Sequence, residues 1–376
     1  MSDLLDELLA DVRALVECES PSHDLEAVAR SADVVAAVGT TRLGVEPEPI
    51  VLDGRTHLRW RLGDTPSRVL LLAHHDTVWP IGTLARRPFS VEDGVLRGPG
   101  CFDMLSGLAM ALHAAAGLDG VTLLVTGDEE IGSPSSRGLI EEEARAAEAV
   151  LVLEASADGG ALKTERKGVS LYDVHVTGLA AHAGLEPERG VNATLELAHA
   201  VLALAGLGDA DLGTTVTPTA ARSGTTTNTV PASATLAVDV RVRTRAEQER
   251  VDVAVRSLAP VLPGAALEVR GGPNRPPLEA ASSAGLLERA RSVATSLGQP
   301  APGSAAVGGA SDGNFTAGVG TPTLDGLGAV GGGAHAEHEH VLVDHLVGRT
   351  ALLRGLVRDL LADPAPVREH VGGGPR

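Results

Sequence analysis

Residues 3–17 place Leu4, Leu5, Leu8, Leu9, Val12, Leu15 and Val16 at helical spacing, and the pattern stops near Ser20-Pro21. A first helix is predicted there, and a second over residues 24–38. Three short apolar runs follow: Val69-Leu70-Leu71-Leu72-Ala73, Val121-Thr122-Leu123-Leu124-Val125 and Val150-Leu151-Val152-Leu153. They are too short for helices, and continuous apolar runs suit strands covered on both faces. Helical patterns at about 105–116 and 136–147 lie between them. The alternation predicts an α/β layered domain.

After Lys167-Gly168 the pattern changes. Residues 169–177 and 234–243 alternate apolar and polar, as half-buried strands do. Helices are predicted at about 192–206 and 245–259. One solvated sheet face with helices on the other is an α+β sandwich, inserted into the first domain. The stretch Gly271-Gly272-Pro273-Asn274-Arg275-Pro276-Pro277 reads as a hinge or linker. Helical patterning resumes at about 283–297 and 344–362. The expected division is 1–168 for the first part of the main domain, 169–278 for the insert and 279–376 for the second part. The tail over 372–376 is expected to fray. No internal repeat is visible.

Composition narrows the class. The chain has 376 residues, 43% hydrophobic and 21% charged, which excludes a disordered chain. At roughly 150 residues per domain, two to three domains are expected. The net charge of −18 disfavours nucleic acid and anionic membrane as partners. No apolar run approaches the roughly 18 residues of a membrane span. The start, Met1-Ser2-Asp3-Leu4-Leu5-Asp6-Glu7, lacks the basic region of a signal peptide. Cys18 and Cys101 are too few and too far apart for a disulfide framework or a thiolate zinc site. A cytoplasmic protein is expected.

Five places end an apolar strand or a Gly-rich turn with residues of metal-ligand type. His74 and Asp76 close the first strand and share a side, because residues two apart in extended chain point the same way. An Asp so placed can orient an imidazole. Asp103 follows Gly98-Pro99-Gly100-Cys101-Phe102, where an acidic residue before a helix reads equally as an N-cap. Asp128, Glu129 and Glu130 follow the second strand and repel one another unless solvated or facing a cation. Glu154 ends the third. The tract Gly331-Gly332-Gly333-Ala334-His335-Ala336-Glu337-His338-Glu339-His340 is a weak metal scavenger or a solvated loop. Taken together, three of the five lie at strand carboxyl ends, where open α/β sheets bind ligands. Five ligands with one shared carboxylate would hold two ions about 3.5–4 Å apart. Mixed N/O ligation favours zinc, with cobalt or manganese as alternatives.

These motifs, in this order over about residues 5–362, resemble the di-zinc metallopeptidase and deacylase family of glutamate carboxypeptidase (carboxypeptidase G), acetylornithine deacetylase and succinyl-diaminopimelate desuccinylase. The resemblance implies a catalytic three-layer α/β/α domain with an inserted α+β dimerisation domain, and two Zn2+ per chain. It implies that His74 and Glu154 hold the first ion, that Glu130 and His335 hold the second, and that Asp103 bridges them. Asp76 orients His74, and Glu129 is the general base. Gly178-Leu179-Ala180-Ala181-His182-Ala183-Gly184 resembles the motif whose histidine, here His182, reaches the active site of the other subunit in a homodimer. Thr227-Asn228-Thr229-Val230-Pro231 and Val238-Asp239-Val240-Arg241 resemble the elements that bind the substrate carboxylate, through Asn228 and Arg241. The stretch from Leu153 to Gly168, and Ala181-His182-Ala183-Gly184 with Pro187-Glu188, favour the glutamate carboxypeptidase branch. The implied reaction is cleavage of an amide bond beside a free carboxylate, in a small peptide or an N-acyl amino acid. By resemblance, the 308–312 loop lines the substrate pocket; from its residues it is a flexible turn followed by an N-cap.

One departure stands out. Family members follow the bridging Asp with Met/Asp-Lys-Gly-Gly, whereas this chain has Met104-Leu105-Ser106-Gly107 and no lysine. An N-acyl-amino-acid deacylase and a non-catalytic binding protein on the same fold are the alternatives, and the second would call for degraded ligands, of which there are none. A dinucleotide-binding oxidoreductase is disfavoured, since no strand is followed by Gly-x-Gly-x-x-Gly opening a helix. His75, His338 and His340 read as loop or supporting residues, His113, His175 and His199 as ordinary helix or strand positions, and Cys101 as structural.

Overall fold

A computed structural model describes residues 2–363. The 372–376 tail lies outside the described residues. The chain forms two compact units. One comprises 2–164, 280–306 and 311–363, and the other 165–279 with 307–310.

The first unit is built on a six-stranded sheet in the order Glu48–Leu52, Arg55–Leu62, Val121–Thr126, Val69–His74, Ala149–Val152, Thr323–Leu324. The three predicted apolar runs are its central strands and are buried throughout. Val69–His74 runs parallel to both its neighbours. Period-two alternation divides their side chains between two cores. Leu71, Leu123 and Leu151 join the core that holds Leu8, Val12, Leu108, Leu112, Leu353 and Leu356 from three helices. Leu70, Leu72, Leu124 and Val150 face the other way, against Leu139, Ile140 and Phe315. The result is a three-layer α/β/α arrangement.

The helix predicted over 24–38 runs Leu25–Leu43. Asp24 caps it by accepting the amide of Ala27 at 2.9 Å, and Gly44, at φ 74°, ends it. The first two strands were not anticipated. Asp53 and Gly54, at φ 49° and 79°, form the two-residue turn between Leu52 and Arg55. Asp-Gly flanked by alternating runs is a hairpin signal, and Leu58, Trp60 and Leu62 are the buried face of that alternation.

The second unit is an antiparallel sheet in the order Thr215–Ser223, Ser233–Val242, Gly168–Thr177, Ala266–Arg275. Tyr172, Val174, Val176, Leu236, Val238 and Val240 pack against Leu197 and Leu204 of helix Ala193–Ala205 and against Val251 and Val255 of helix Arg245–Arg256. One expectation is corrected here. The stretch from Gly271 to Arg275 is not a linker but the end of an edge strand, with Gly271 opposite Tyr172 and Arg275 opposite Val169. The register shifts between Pro273 and Arg275. Gly271, at φ 85°, sits so close to the Leu171 carbonyl that a Cβ would collide with it. Gly and Pro therefore mark a bulged edge rather than an end of pairing. Among the described residues, no helix is long and apolar enough to cross a membrane.

Candidate metal centre

Three candidate residues meet because three strands run in parallel. His74 ends its strand opposite Thr126, and Leu72 lies opposite Val152. Two residues beyond Val152, Glu154 therefore stands level with His74. Three residues beyond Thr126 comes Glu129. His74 Nε2 lies 3.7 Å from Glu154 Oε1 and 3.6 Å from Asp103 Oδ1. Asp103 arrives from a different direction, on the tight turn Cys101–Leu105 that precedes helix Ser106–Ala115. Its φ of −116° and ψ of 96° are non-helical, and it belongs to the turn rather than to an N-cap. Gly107 lets the helix approach the end of the third strand, since a Cβ there would strike the Leu153 carbonyl. Leu105, at the position where the resemblance implies a lysine, is 2% exposed and part of the main core.

The three consecutive acidic residues are separated by the fold. Asp128 turns inward and accepts hydrogen bonds from Ser135 and Ser136, through both amides and both hydroxyls at 2.5–3.3 Å. This frees the next turn to present Glu129 and Glu130 toward His74. Asp76 secures that turn. Its fully buried carboxylate accepts the amides of Glu129 at 3.1 Å and Glu130 at 3.2 Å, and the Ser22 hydroxyl at 2.6 Å. Its closest approach to His74 is through the backbone: Nδ1 lies 2.9 Å from the Asp76 carbonyl and 3.5 Å from Oδ1. Nδ1 donating to that carbonyl leaves Nε2 as the lone-pair nitrogen facing the carboxylates.

His335 completes the second cluster. It is exposed and occupies the left-handed region at φ 60°, a conformation that favours glycine. Its Nε2 is 3.0 Å from Glu130 Oε2 and 3.4 Å from Asp103 Oδ2. Asp103 thus faces His74 with one oxygen and His335 with the other.

Among the described residues, two groups offer ligand atoms that all lie within 4.8 Å of one another: His74 with Glu129 and Glu154, and His74 with Asp103 and Glu130. The fit to cations rests on more than proximity. His74 Nε2 is buried and has no hydrogen-bond partner among the described residues. Four carboxylates crowd two imidazoles, so the site has an excess of negative charge. Burial works against a proton on His74, but Asp103 and Asp76 outweigh it and raise its pKa. Asp103 and Glu130 push His335 up to about 10. Burial would raise Asp103, yet the two histidines hold it far below the usual carboxylate range. Burial raises Glu130. The cluster thus favours positive charge, which suits a divalent cation.

The remaining candidates belong to the second unit. The short strands Ala181–His182 and Thr229–Val230 pair with His182 opposite Thr229, and the Ala183 amide donates to the Asn228 carbonyl at 2.9 Å. His182 and Asn228 are therefore neighbours, and both are exposed. The Gly184 amide donates to His182 Nδ1 at 3.1 Å, so the neutral ring carries its proton on Nε2. Arg241 lies on strand Ser233–Val242, where Asp239 holds its guanidinium with two oxygens at 2.9 Å.

Other assignments fall into place. Buried His75 lies between the Ser31 hydroxyl and the Thr56 carbonyl, at 3.1 Å from each, and burial lowers its pKa to about 4. His113 pairs with Asp11. Asp312 does not cap its helix; it accepts the hydroxyls of Thr126 and Ser133 instead. Two residues that sequence reasoning passed over are Ser22, which carries no motif, and Glu339, which lay hidden in a His/Glu tract. Glu339 has no exposed surface, and the Trp79 indole donates to it at 2.8 Å.

The chain belongs to peptidase family M20/M25/M40, whose model matches residues 70–359. It is 34% identical over 215 residues to carboxypeptidase G2 of Pseudomonas sp. (strain RS-16), a match that covers 54% of this chain. The chain spans about half the length of that curated relative, 52%. The fold is shared with aminopeptidase PepT of Bacillus cereus, with a TM-score of 0.73 and 22% identity over 95% of this chain and 99% of that one. It is shared too with the YxeP protein of Bacillus subtilis, a dinuclear metal-binding peptidase, with a TM-score of 0.64 and 15% identity over 96% and 99%. The family is one of metal-dependent peptidases.

Proposed function

We propose that the protein is a cytoplasmic, homodimeric metallohydrolase that cleaves an amide bond beside a free carboxylate, in the manner of a glutamate carboxypeptidase. The observation that carries this reading is the placement of Asp103 between His74 and His335, with Glu154 on one side and Glu130 on the other. These five side chains would hold two divalent ions, zinc by their donor chemistry, with Asp103 shared. Bound there, the ions would supply Lewis-acid polarisation of the scissile carbonyl and acidify an attacking water.

The chain's own groups do the rest. Glu129 is the carboxylate not needed as a ligand, and it is held by its amide to Asp76. It takes a proton from the attacking water and returns it to the leaving amine. His182 offers Nε2–H to the developing oxyanion of the other protomer's substrate. Arg241, assisted by Asn228, meets the substrate carboxylate, where a guanidinium fork suits two oxygens. Asp239 holds that fork in one orientation beforehand. The second unit, with its exposed edge strand Thr215–Ser223, provides the dimer contact.

The test is a substrate panel of N-acyl amino acids and C-terminal-glutamate peptides, assayed before and after chelation, alongside elemental analysis of the pure protein. The reading expects hydrolysis of acyl-glutamate substrates, loss of activity on chelation and two metal ions per chain. Chelator-insensitive hydrolysis, or protein that retains no metal under any loading, would sink it.

A further inference from the structure

Glu339 belongs to neither group of candidate ligands, yet it touches the backbone that carries Asp103. Its Oε1 accepts the amides of Phe102 at 3.0 Å and Asp103 at 3.1 Å. Its Oε2 accepts the Gly100 amide at 3.0 Å and Trp79 Nε1 at 2.8 Å. A carboxylate offers about four lone-pair sites, so four donors fill it. All four donors are neutral N–H groups, and the side chain has no exposed surface. Burying an acidic group in this way costs free energy that a loop with no other task would not need to meet.

The topology shows what the arrangement achieves. Glu339 lies four residues beyond His335, in a loop tightened by the hydrogen bonds of Ala336 to Gly333 and of Glu339 to Ala336, each 2.9 Å. Trp79 lies five residues beyond His74, on the loop that leaves its strand. The segments carrying His74, Asp103 and His335 are far apart in sequence, and all three meet at one carboxylate. Cys101, Met104 and Leu105 anchor the turn in the main core, and Glu339 takes up the amides of Phe102 and Asp103 on its other side.

We infer that Glu339 is a positioning residue: it fixes the Asp103 turn against the His335 and His74 loops, so that the shared carboxylate is set between its two histidines before any cation arrives. This rests on the reading of Asp103 as a shared ligand. The role depends on the carboxylate and not on side-chain volume. In Glu339→Gln the amide oxygen keeps two donors, but the amide nitrogen faces the other two and accepts from neither.

The experiment is titration of chelated protein with Co2+, followed by visible absorption and calorimetry, with thermal unfolding of each cation-free variant. Glu339→Gln should fold and bind Co2+ about 10–100-fold more weakly, the range for loss of a group that orients ligands. Its absorption band should shift, since the geometry around Asp103 changes. Trp79→Phe removes one donor of four and should show a smaller loss in the same direction. If both variants bind Co2+ as the wild type does, the inference is overturned. If Glu339→Gln does not fold, Trp79→Phe decides: wild-type affinity overturns the inference, and weakened affinity with unchanged unfolding temperature supports it. A wild-type protein that binds no Co2+ overturns the cation reading itself and the inference with it.

Discussion

The carboxylate of Asp76 accepts the backbone amide of Glu129 at 3.1 Å, across 53 residues of chain. One buried side chain thus sets the height of the proposed general base, while the same residue's carbonyl oxygen orients the ring of His74. Replacing the side chain leaves that carbonyl in place and should loosen the turn that carries Glu129 and Glu130. In Asp76→Asn one oxygen still serves Glu129, but the amide nitrogen opposes the Glu130 amide. We expect kcat/KM to fall about 10–100-fold together with metal content. Steady-state kinetics paired with elemental analysis checks this, and wild-type values in both would remove Asp76 from the site.

Glu129→Gln should abolish turnover while keeping metal. The substitution preserves shape and removes basicity, so a loss of at least about 10²–10⁴-fold in kcat is expected. The proximity of Glu129 to His74 and Glu154 sharpens the test. If metal is lost along with activity, Glu129 is itself a ligand. Near wild-type kcat would exclude it from proton transfer.

Mixing His182→Ala with Glu129→Gln should restore activity if the histidine serves the other protomer. Each mixed dimer then contains one intact site. Random exchange makes about half the dimers mixed, so recovery should approach about a quarter of wild type, on the assumption of independent sites. Verified subunit exchange without recovery would refute the cross-dimer role.

Asp11 offers a stability test away from the site. Its carboxylate takes Arg42 through two nitrogens, at 2.7 and 3.0 Å, and His113 at 2.7 Å. Burial would raise its pKa, but the hydrogen bonds from His113 and Arg42 outweigh it and the pKa is lowered. A depressed folded value means the stabilisation is fully present above the unfolded carboxyl range. It is lost as pH falls through the folded value, below about pH 4. Wild type should therefore lose more unfolding free energy on acidification than Asp11→Asn does, measured by denaturant titration at stepped pH. Parallel losses would show that the cluster is not a source of acid sensitivity.

Much of the first unit was legible along the chain. Runs such as Val69–Ala73 are apolar at every position because both faces are covered, and that burial is a local property of composition. The chemistry at the ends of these runs was legible for the same reason, since a polar ligand directly after a buried strand marks the sheet's carboxyl edge. The hairpin over 48–62 carried its Asp-Gly signal but lacked a long apolar run. The Gly-Gly-Pro stretch carried a linker signal that register overrode, because an edge strand tolerates a bulge where a central strand does not.

What the chain by itself determined is which residues are available for the site and which strands deliver three of them. What only the tertiary structure decided is how those residues divide their work. Asp128 is turned inward by two serines while Glu129, its neighbour, is turned toward His74. Glu339, 236 residues from Asp103, holds that residue's amide. Local periodicity reports burial, which each residue expresses through its own hydrophobicity. Hydrogen-bond partnership between distant segments depends on where both ends finally lie, and no local pattern encodes that.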